Sequence, residues 1–534
     1  MRAAEDGCFR ILERELSALR FPGAQLERRP IDPAIRGHPN YSQLHFTKTP
    51  QRPEGLSPEE TYANRANLLF RVPGGNAANR GQSVALNAHI DVVAPYLPPR
   101  VRGGVVYGRG ACDDKGPVVS MVAALKALSE VMTEAGLEWN RDLLAMFVVE
   151  EETGGNGSLS LAIDRELRRC YDSILVGECT GLQIHPANRG AVWYRAELPA
   201  LAGVSLLELF AFVNEELEKE GAALRAESRH ALFPQRPVQT CHGIIGPFGE
   251  HPSRICGEVS FDVWCEPGAR ARVESLLQDC LEAGLAGYVG LYGDKTKVTE
   301  AGTGRPMVAR HYECRRTSMG FEVGVYGATG HMGAIRERDG AITKAAHLVR
   351  SLVASKARLE AVAGGPVRFE VTGALPGGGL VLEGGQGFVP THDINEVMER
   401  LRRAACRGAE NHLRRLGRSE RGEQVVRVTY EKLHNTAFDG DPASAAMRNA
   451  MAAGRACGLP QPAPVLGWTV SCDARLFASE YPGMPVLTFG PGTLAFAHSD
   501  QEQIEVDEVL KAAGFLGVFL LRQTGTVGWG STPK

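Results

Sequence analysis

The chain of 534 residues has no apolar run of about 20 residues, so nothing in it reads as a bilayer-spanning helix. Its first residues, Met1-Arg2-Ala3-Ala4-Glu5-Asp6-Gly7, carry acids where a signal segment would be apolar, which argues against secretion. Paired cysteine spacings are missing. Twelve cysteines scatter singly from Cys8 to Cys472, which suits neither a disulfide framework nor a structural zinc site. Reduced thiols and a cytoplasmic address are expected. An excess of either charge sign is also missing: the net charge of -3 gives no electrostatic reason to expect nucleic acid or an anionic membrane as partner. Neither G-x-G-x-x-G nor the P-loop pattern occurs, which sets aside a phosphate-cradling reading of the glycine-rich loops.

What is present is an ordinary globular composition, 43% hydrophobic and 23% charged. The length points to more than one domain, since single cores rarely exceed roughly 250–300 residues. From Asn67 to about Gly190, short apolar runs (83–88, 143–149, 173–177) alternate with helical stretches (117–131, 157–168). That alternation predicts an α/β domain with a mainly parallel sheet, whose active groups collect at the carboxyl ends of the strands. The middle of the chain reads differently. Strand 191–198, helix 205–220, strands 238–245 and 256–264, helix 269–283 and a strand near 295–299 form one βαββαβ pass. Strand 320–326, helix 341–354, strands near 380–382 and 387–389, helix 394–416 and strand 424–430 form a second. The expected division is 1–192 and 431–534 for the catalytic domain. Residues 193–316 and 317–430 form a tandem pair of ferredoxin-like lid modules, with a single irregular insert as the alternative.

Acids and histidines end several of the apolar runs. His89 and Asp91 lie two apart at a strand end and share a side, so the carboxylate can hold the ring while the other nitrogen meets a metal. The run Tyr107-Gly108-Arg109-Gly110-Ala111-Cys112-Asp113-Asp114-Lys115-Gly116 turns sharply into a helix and delivers a carboxylate able to bridge two cations. After Val148-Val149 come Glu150, Glu151 and Glu152, three carboxylates whose counter-charge bound cations would supply. Glu178 and His498 follow further hydrophobic runs. Oxygen and imidazole ligands without thiolates suit a hydrolytic divalent-metal site, with zinc the first choice and cobalt or manganese the alternatives.

This ordered set, His89-x-Asp91, Gly108-Arg109-Gly110-x-x-Asp113-x-Lys115-Gly116, Glu151-Glu152, Glu178 and His498, resembles the zinc exopeptidase and deacylase family. That family includes aminoacylase, acetylornithine deacetylase, succinyl-diaminopimelate desuccinylase, carboxypeptidase G and the cytosolic dipeptidases. The resemblance implies a zinc-peptidase-like α/β catalytic domain with a dinuclear metal site and an inserted α+β ferredoxin-like lid. His89 and Glu178 would hold one metal and Glu152 and His498 the other, with Asp113 between them. Glu151 would be the general base and Asp91 the partner of His89. The resemblance also points to a lid histidine, here His331, as donor to the tetrahedral oxyanion. The first lid module offers no histidine at the equivalent turn, so the second is expected to stand where a partner's lid would dock, giving a monomer.

The chain departs from the family at Ser260-Phe261-Asp262-Val263-Trp264, where many members place a carboxylate-gripping arginine. Arg475 and Arg336 are the candidate replacements, each equally readable as a structural ion pair. Cys179, following Glu178, reads as a variation in backbone geometry and not as a nucleophile. His242, His251 and His392 are further residues of the lid that would line the cleft or lie on its surface. Glu178, where the family's dipeptidases and aminopeptidases carry Asp, favours cleavage of N-acyl amino acids or related small amides. The same residue is compatible with a carboxypeptidase, whereas the tandem lid and the string Asp113-Asp114-Lys115-Gly116 favour a cytosolic dipeptidase; a binding protein built on a dead cleft is the outlying alternative.

Overall fold

The computed structural model describes residues 2–49, 51–75, 83–234, 240–300, 303–331, 339–373, 378–460 and 464–528. One six-stranded sheet carries the catalytic domain. Its first five strands are β1 (Gln25–Pro30), β2 (Ala66–Val72), β3 (Val84–His89), β4 (Leu143–Val148) and β5 (Ser173–Gly177), with helix α1 (Lys115–Ala135) between β3 and β4. Alternate residues of these strands enter different cores. Leu68, Leu86, Ala145 and Phe147 pack on one face, Leu69, Ala85, Met146 and Val148 on the other. A strand covered on both faces must be apolar at nearly every position, which is why β4 is a continuous run.

The chain then leaves this sheet. Strand β6 (Gly190–Leu198), helix α2 (Leu206–Glu227) and β7 (Thr240–Ile245) come first. Next come β8 (Glu258–Trp264), helix α3 (Arg270–Thr296), β9 (Tyr312–Thr317), β10 (Gly320–Tyr326), helix α4 (Ala341–Ala354) and β11 (Arg368–Val371). Last come β12 (Leu380–Phe388), helix α5 (Ile394–Arg415) and β13 (Arg427–Asn435), before β14 (Val486–Phe489) and helix α6 (Val506–Thr524). Strand β14 returns to the first sheet, giving the order β1-β2-β4-β3-β5-β14, antiparallel at β1–β2 and β2–β4 and parallel at the other three pairings.

The lid holds two antiparallel four-stranded sheets, ordered β7-β12-β6-β13 and β9-β10-β8-β11. Each is βαββαβ in connectivity and each shows the ferredoxin-like strand order, so the lid is duplicated. The modules are nested, not tandem. Residues 258–371 make the inner one, and the outer one is assembled from 190–245 and 380–435. The division expected between residues 316 and 317 falls instead between two strands that pair with each other, β9 and β10. Periodicity reports which face of a strand is buried but not which strand it meets, and β7 and β8, consecutive in sequence, enter different sheets. The two modules share one hydrophobic core, from Leu207 and Phe212 in α2 to Phe261 in β8 and Leu348 in α4.

Local expectations also change: the two strands expected near 380–382 and 387–389 are one continuous strand, β12. The strand expected near 295–299 lies partly within α3, and Gly284 lets α3 approach α4, where a Cβ would meet the Leu348 Cα at 2.8 Å. The strand that completes the inner sheet is β9, an Arg-rich edge too exposed to show an apolar pattern.

Candidate metal centre

Strand β3 ends at His89, and the loop entering α1 brings Asp113 against it, with His89 Nε2 3.1 Å from Asp113 Oδ1. The other oxygen of Asp113 faces His498, 3.3 Å from its Nε2, and His498 Nε2 also lies 3.0 Å from Glu152 Oε2. Two sets of potential ligand atoms result, His89–Asp113–Glu178 and Asp113–Glu152–His498, each within 4.8 Å throughout. They share Asp113, and all five residues are buried. These are the five residues the sequence singled out.

Three carboxylates and two imidazoles gathered this closely form donor sets that could hold cations. Burial raises Glu178 well above the usual carboxylate range, with Asp114 and Glu151 adding to it, and burial also raises Glu152. Burial acts the same way on Asp113, but hydrogen bonds from His498 and His89 outweigh it and hold this carboxyl well below its ordinary value. Against burial, Glu152 and Asp113 push His498 up to about 10. Oxygen and imidazole donors with no thiolate among them fit divalent zinc, cobalt or manganese at both positions.

The surrounding residues fix this geometry. Asp91 accepts the Glu151 amide at 3.2 Å and the Glu152 amide at 3.1 Å, while its Oδ1 lies 3.4 Å from His89 Nδ1. One carboxylate thus orients both the histidine and the acidic loop. Glu502 accepts the amides of Cys112 and Asp113, each at 3.1 Å, and pairs with Arg109 at 2.5 Å. Glu150 is not part of the cluster. With left-handed backbone (φ 70°), it turns away to accept from Tyr62 at 2.9 Å and to pair with Arg65.

Glu151 is half-buried beside the cluster. Burial raises its carboxyl well above the usual range, opposed by His89 and reinforced by Asp473 and Glu152. His331 reaches the centre from the inner lid module of the same chain, its ring centroid 4.5 Å from that of His498. Burial, then His498, hold this imidazole well below its ordinary value.

Other singled-out residues sit elsewhere. Arg475 is buried beneath the acidic loop, with Nη2 donating to the Gly154 carbonyl at 2.9 Å, an anchor for that loop. Arg336 lies outside the described residues. His242 is buried inside the lid between Tyr194 (2.6 Å) and Glu218 (2.9 Å), and His251 contacts Ser253 at 2.6 Å. Cys179 is buried, its thiol raised well above its ordinary value by neighbouring Cys112 and by burial, which fits an inert thiol. Sequence reasoning missed Glu502 and the pairing role of Arg109: Arg109 stood in the motif, but its partner is almost four hundred residues away.

The family model described as Peptidase family M20/M25/M40 matches residues 85–522. A putative [LysW]-lysine/[LysW]-ornithine hydrolase of Pyrobaculum aerophilum is 34% identical over 220 residues, covering 40% of this chain and 58% of that protein. An M20-peptidase-domain protein of Schizosaccharomyces pombe is 34% identical over 146 residues, covering 27% of this chain and 35% of that one. The chain therefore spans little more than half of the first relative and about a third of the second. Among solved structures, human carnosine dipeptidase 1 matches 97% of this chain and 90% of its own, at a TM-score of 0.52 and 12% identity. The di-peptidase Dug1p of Saccharomyces cerevisiae matches 98% and 90%, at 0.51 and 11%. These likenesses show the fold, and the family match runs from β3 through the nested lid into α6. The chain belongs to peptidase family M20/M25/M40.

Proposed function

We propose that the protein is a dinuclear-metal amidohydrolase that cleaves the amide bond of N-acyl amino acids or related small amides. One observation carries the reading: the two oxygens of Asp113 face different histidines, with Glu151 beside the pair. His89, Asp113 and Glu178 would hold one divalent ion, and Asp113, Glu152 and His498 the other, zinc being the first choice. When bound, two such ions acidify water and polarise the substrate carbonyl. Glu151 takes a proton from the attacking water and returns it to the leaving amine nitrogen, so that the C–N bond breaks with the amine neutralised. His331 donates a hydrogen bond to the carbonyl oxygen as negative charge grows there. Asp91 keeps His89 in one orientation throughout.

Glu178 supports the deacylase reading. The second reading, a dipeptidase or carboxypeptidase on small peptides, is supported by the doubled lid and by the fold likeness to carnosine dipeptidase 1. A metal-reconstituted screen of N-acyl amino acids and free dipeptides tests both, with Glu151→Gln as the blank; the hydrolase named for [LysW]-lysine and [LysW]-ornithine adds those conjugates to the panel. Turnover of dipeptides alone would replace the first reading by the second, and turnover undiminished in Glu151→Gln would sink both. The reach of His331 to His498 within one chain supports a monomeric enzyme, which sedimentation tests. No helix among the described residues is long and apolar enough to cross a membrane.

A further inference from the structure

Arg254 lies where the chain passes from β7 to β8, the entry to the inner lid module. It is buried, and each of its three nitrogens has a protein partner. Nε lies 3.2 Å from Glu250, Nη2 donates to Asp500 Oδ1 at 2.8 Å, and Nη1 donates to the main-chain carbonyl of His498 at 3.0 Å. Its backbone meanwhile forms an antiparallel bridge with His331, and the next amide, that of Ile255, donates to the Gly330 carbonyl at 2.9 Å. Thr329 adds a second grip on the same loop, its hydroxyl donating to Asp500 Oδ2 at 3.2 Å. The main chain of Arg254 is thus tied to the histidine on the lid, and its side chain to the loop of the histidine in the catalytic domain.

We propose that Arg254 is a positioning residue, a latch that closes the lid onto the catalytic domain and sets His331 against His498. A guanidinium spent on three protein partners is not the group that grips substrate. Its planar fork spans a carbonyl and a carboxylate together, which a lysine ammonium cannot do with the same geometry. Beside the latch, Thr329 reaches Asp500, and the His331 and His498 rings lie 4.5 Å apart, tilted by 57°. Without the latch, the two histidines would no longer be held at a fixed separation.

The test uses the full-length, metal-reconstituted protein and Arg254→Met. Amide hydrogen exchange is followed in peptides covering 327–331 and 498–501, alongside metal content, kcat and KM. The latch predicts faster exchange in both peptides, with two metals retained. It also predicts kcat lower by about a hundredfold at nearly constant KM, the loss typical of a misplaced or missing oxyanion donor. Arg254→Lys should fall between wild type and Arg254→Met. Unchanged exchange and unchanged kcat in Arg254→Met would overturn the proposal. Should that variant lose metal or unfold, Asp500→Asn decides: the latch requires faster exchange at 327–331, and protection there equal to wild type rejects it. The kinetic arm rests on the function proposed above, whereas the exchange arm does not. A wild type inactive on every amide tested would therefore fail that function and leave the latch to be judged by exchange alone.

Discussion

Glu502→Ala is expected to destabilise the catalytic domain by about 4 kcal/mol and to empty the metal centre. The Glu502 carboxylate is buried, pairs with the guanidinium of Arg109 and accepts two amides of the loop that delivers Asp113. Deleting one member of a buried ion pair costs about 3–5 kcal/mol, because the remaining charge is stranded. Two orphaned amides add roughly 1–3 kcal/mol each if water does not reach them. An opposing contribution is visible in the carboxyl itself: burial and the nearby Asp113 raise it above its ordinary range in spite of Arg109. Its removal relieves that strain, so the net falls near the cost of the pair alone. A urea titration followed by tryptophan fluorescence, with metal content measured in parallel, reads both effects. Glu502→Gln keeps an oxygen for the amides and should cost about half as much. Adding Arg109→Met to Glu502→Ala should restore about 2 kcal/mol, since the stranded charge goes with it. A Glu502→Ala protein within about 1 kcal/mol of wild type, with its metals in place, would refute the claim that this pair holds the Asp113 loop.

Chelation should lower the melting temperature and re-addition of zinc, cobalt or manganese restore it. Free metal at about a thousand times its Kd is worth about 4 kcal/mol, and no response to metal would count against the centre. Stability should fall as pH drops from about 6.5 to 4. His185 is buried, donates to the Leu466 carbonyl at 2.8 Å, and is depressed by burial to about 4, so the unfolded chain takes up a proton that the folded one refuses. The contribution of His185, at most about 3 kcal/mol, is complete above its unfolded pKa and lost below its folded one; His185→Gln should flatten that part of the profile in pH-dependent urea melts. Gly284→Ala should cost about 1–2 kcal/mol, its methyl meeting the Leu348 backbone, whereas Gly290→Ala in the same helix, with open space around it, should gain up to about 1 kcal/mol in thermal melts.

The ligand set was legible in the sequence because His89, Glu152 and Glu178 end or closely follow apolar strands whose ends gather on one edge of a parallel sheet, while Asp113 stands in a glycine-rich turn into a helix. His89, Asp113, Glu152, Glu178 and His498 needed only these patterns and a resemblance to be placed together. The three acids Glu150, Glu151 and Glu152 look equivalent in sequence, yet the left-handed turn at Glu150 sends it to Arg65 and Tyr62 on the other side. Arg475 was readable in sequence either as a carboxylate-gripping residue or as a structural one; its burial under Gly154 depends on packing that no local pattern encodes. The lid elements were read largely in their right places, and helix 341–354 to the residue. Their pairing was not, since hydrogen-bonded neighbours such as β6 and β12 lie far apart along the chain.

Nesting also sets an order of events during synthesis. The inner module is continuous and its strands and helices emerge together, so it can form its sheet while the ribosome is still working. The outer sheet cannot: Leu198 pairs with Leu380, about 180 residues later, roughly 10–40 s of elongation. Through that interval β6 exposes an apolar face and two open edges, and β5 waits longer still for β14. The half-made enzyme is thus a folded bead on two unpaired arms, and its vulnerability to aggregation belongs to the nascent chain more than to the finished one.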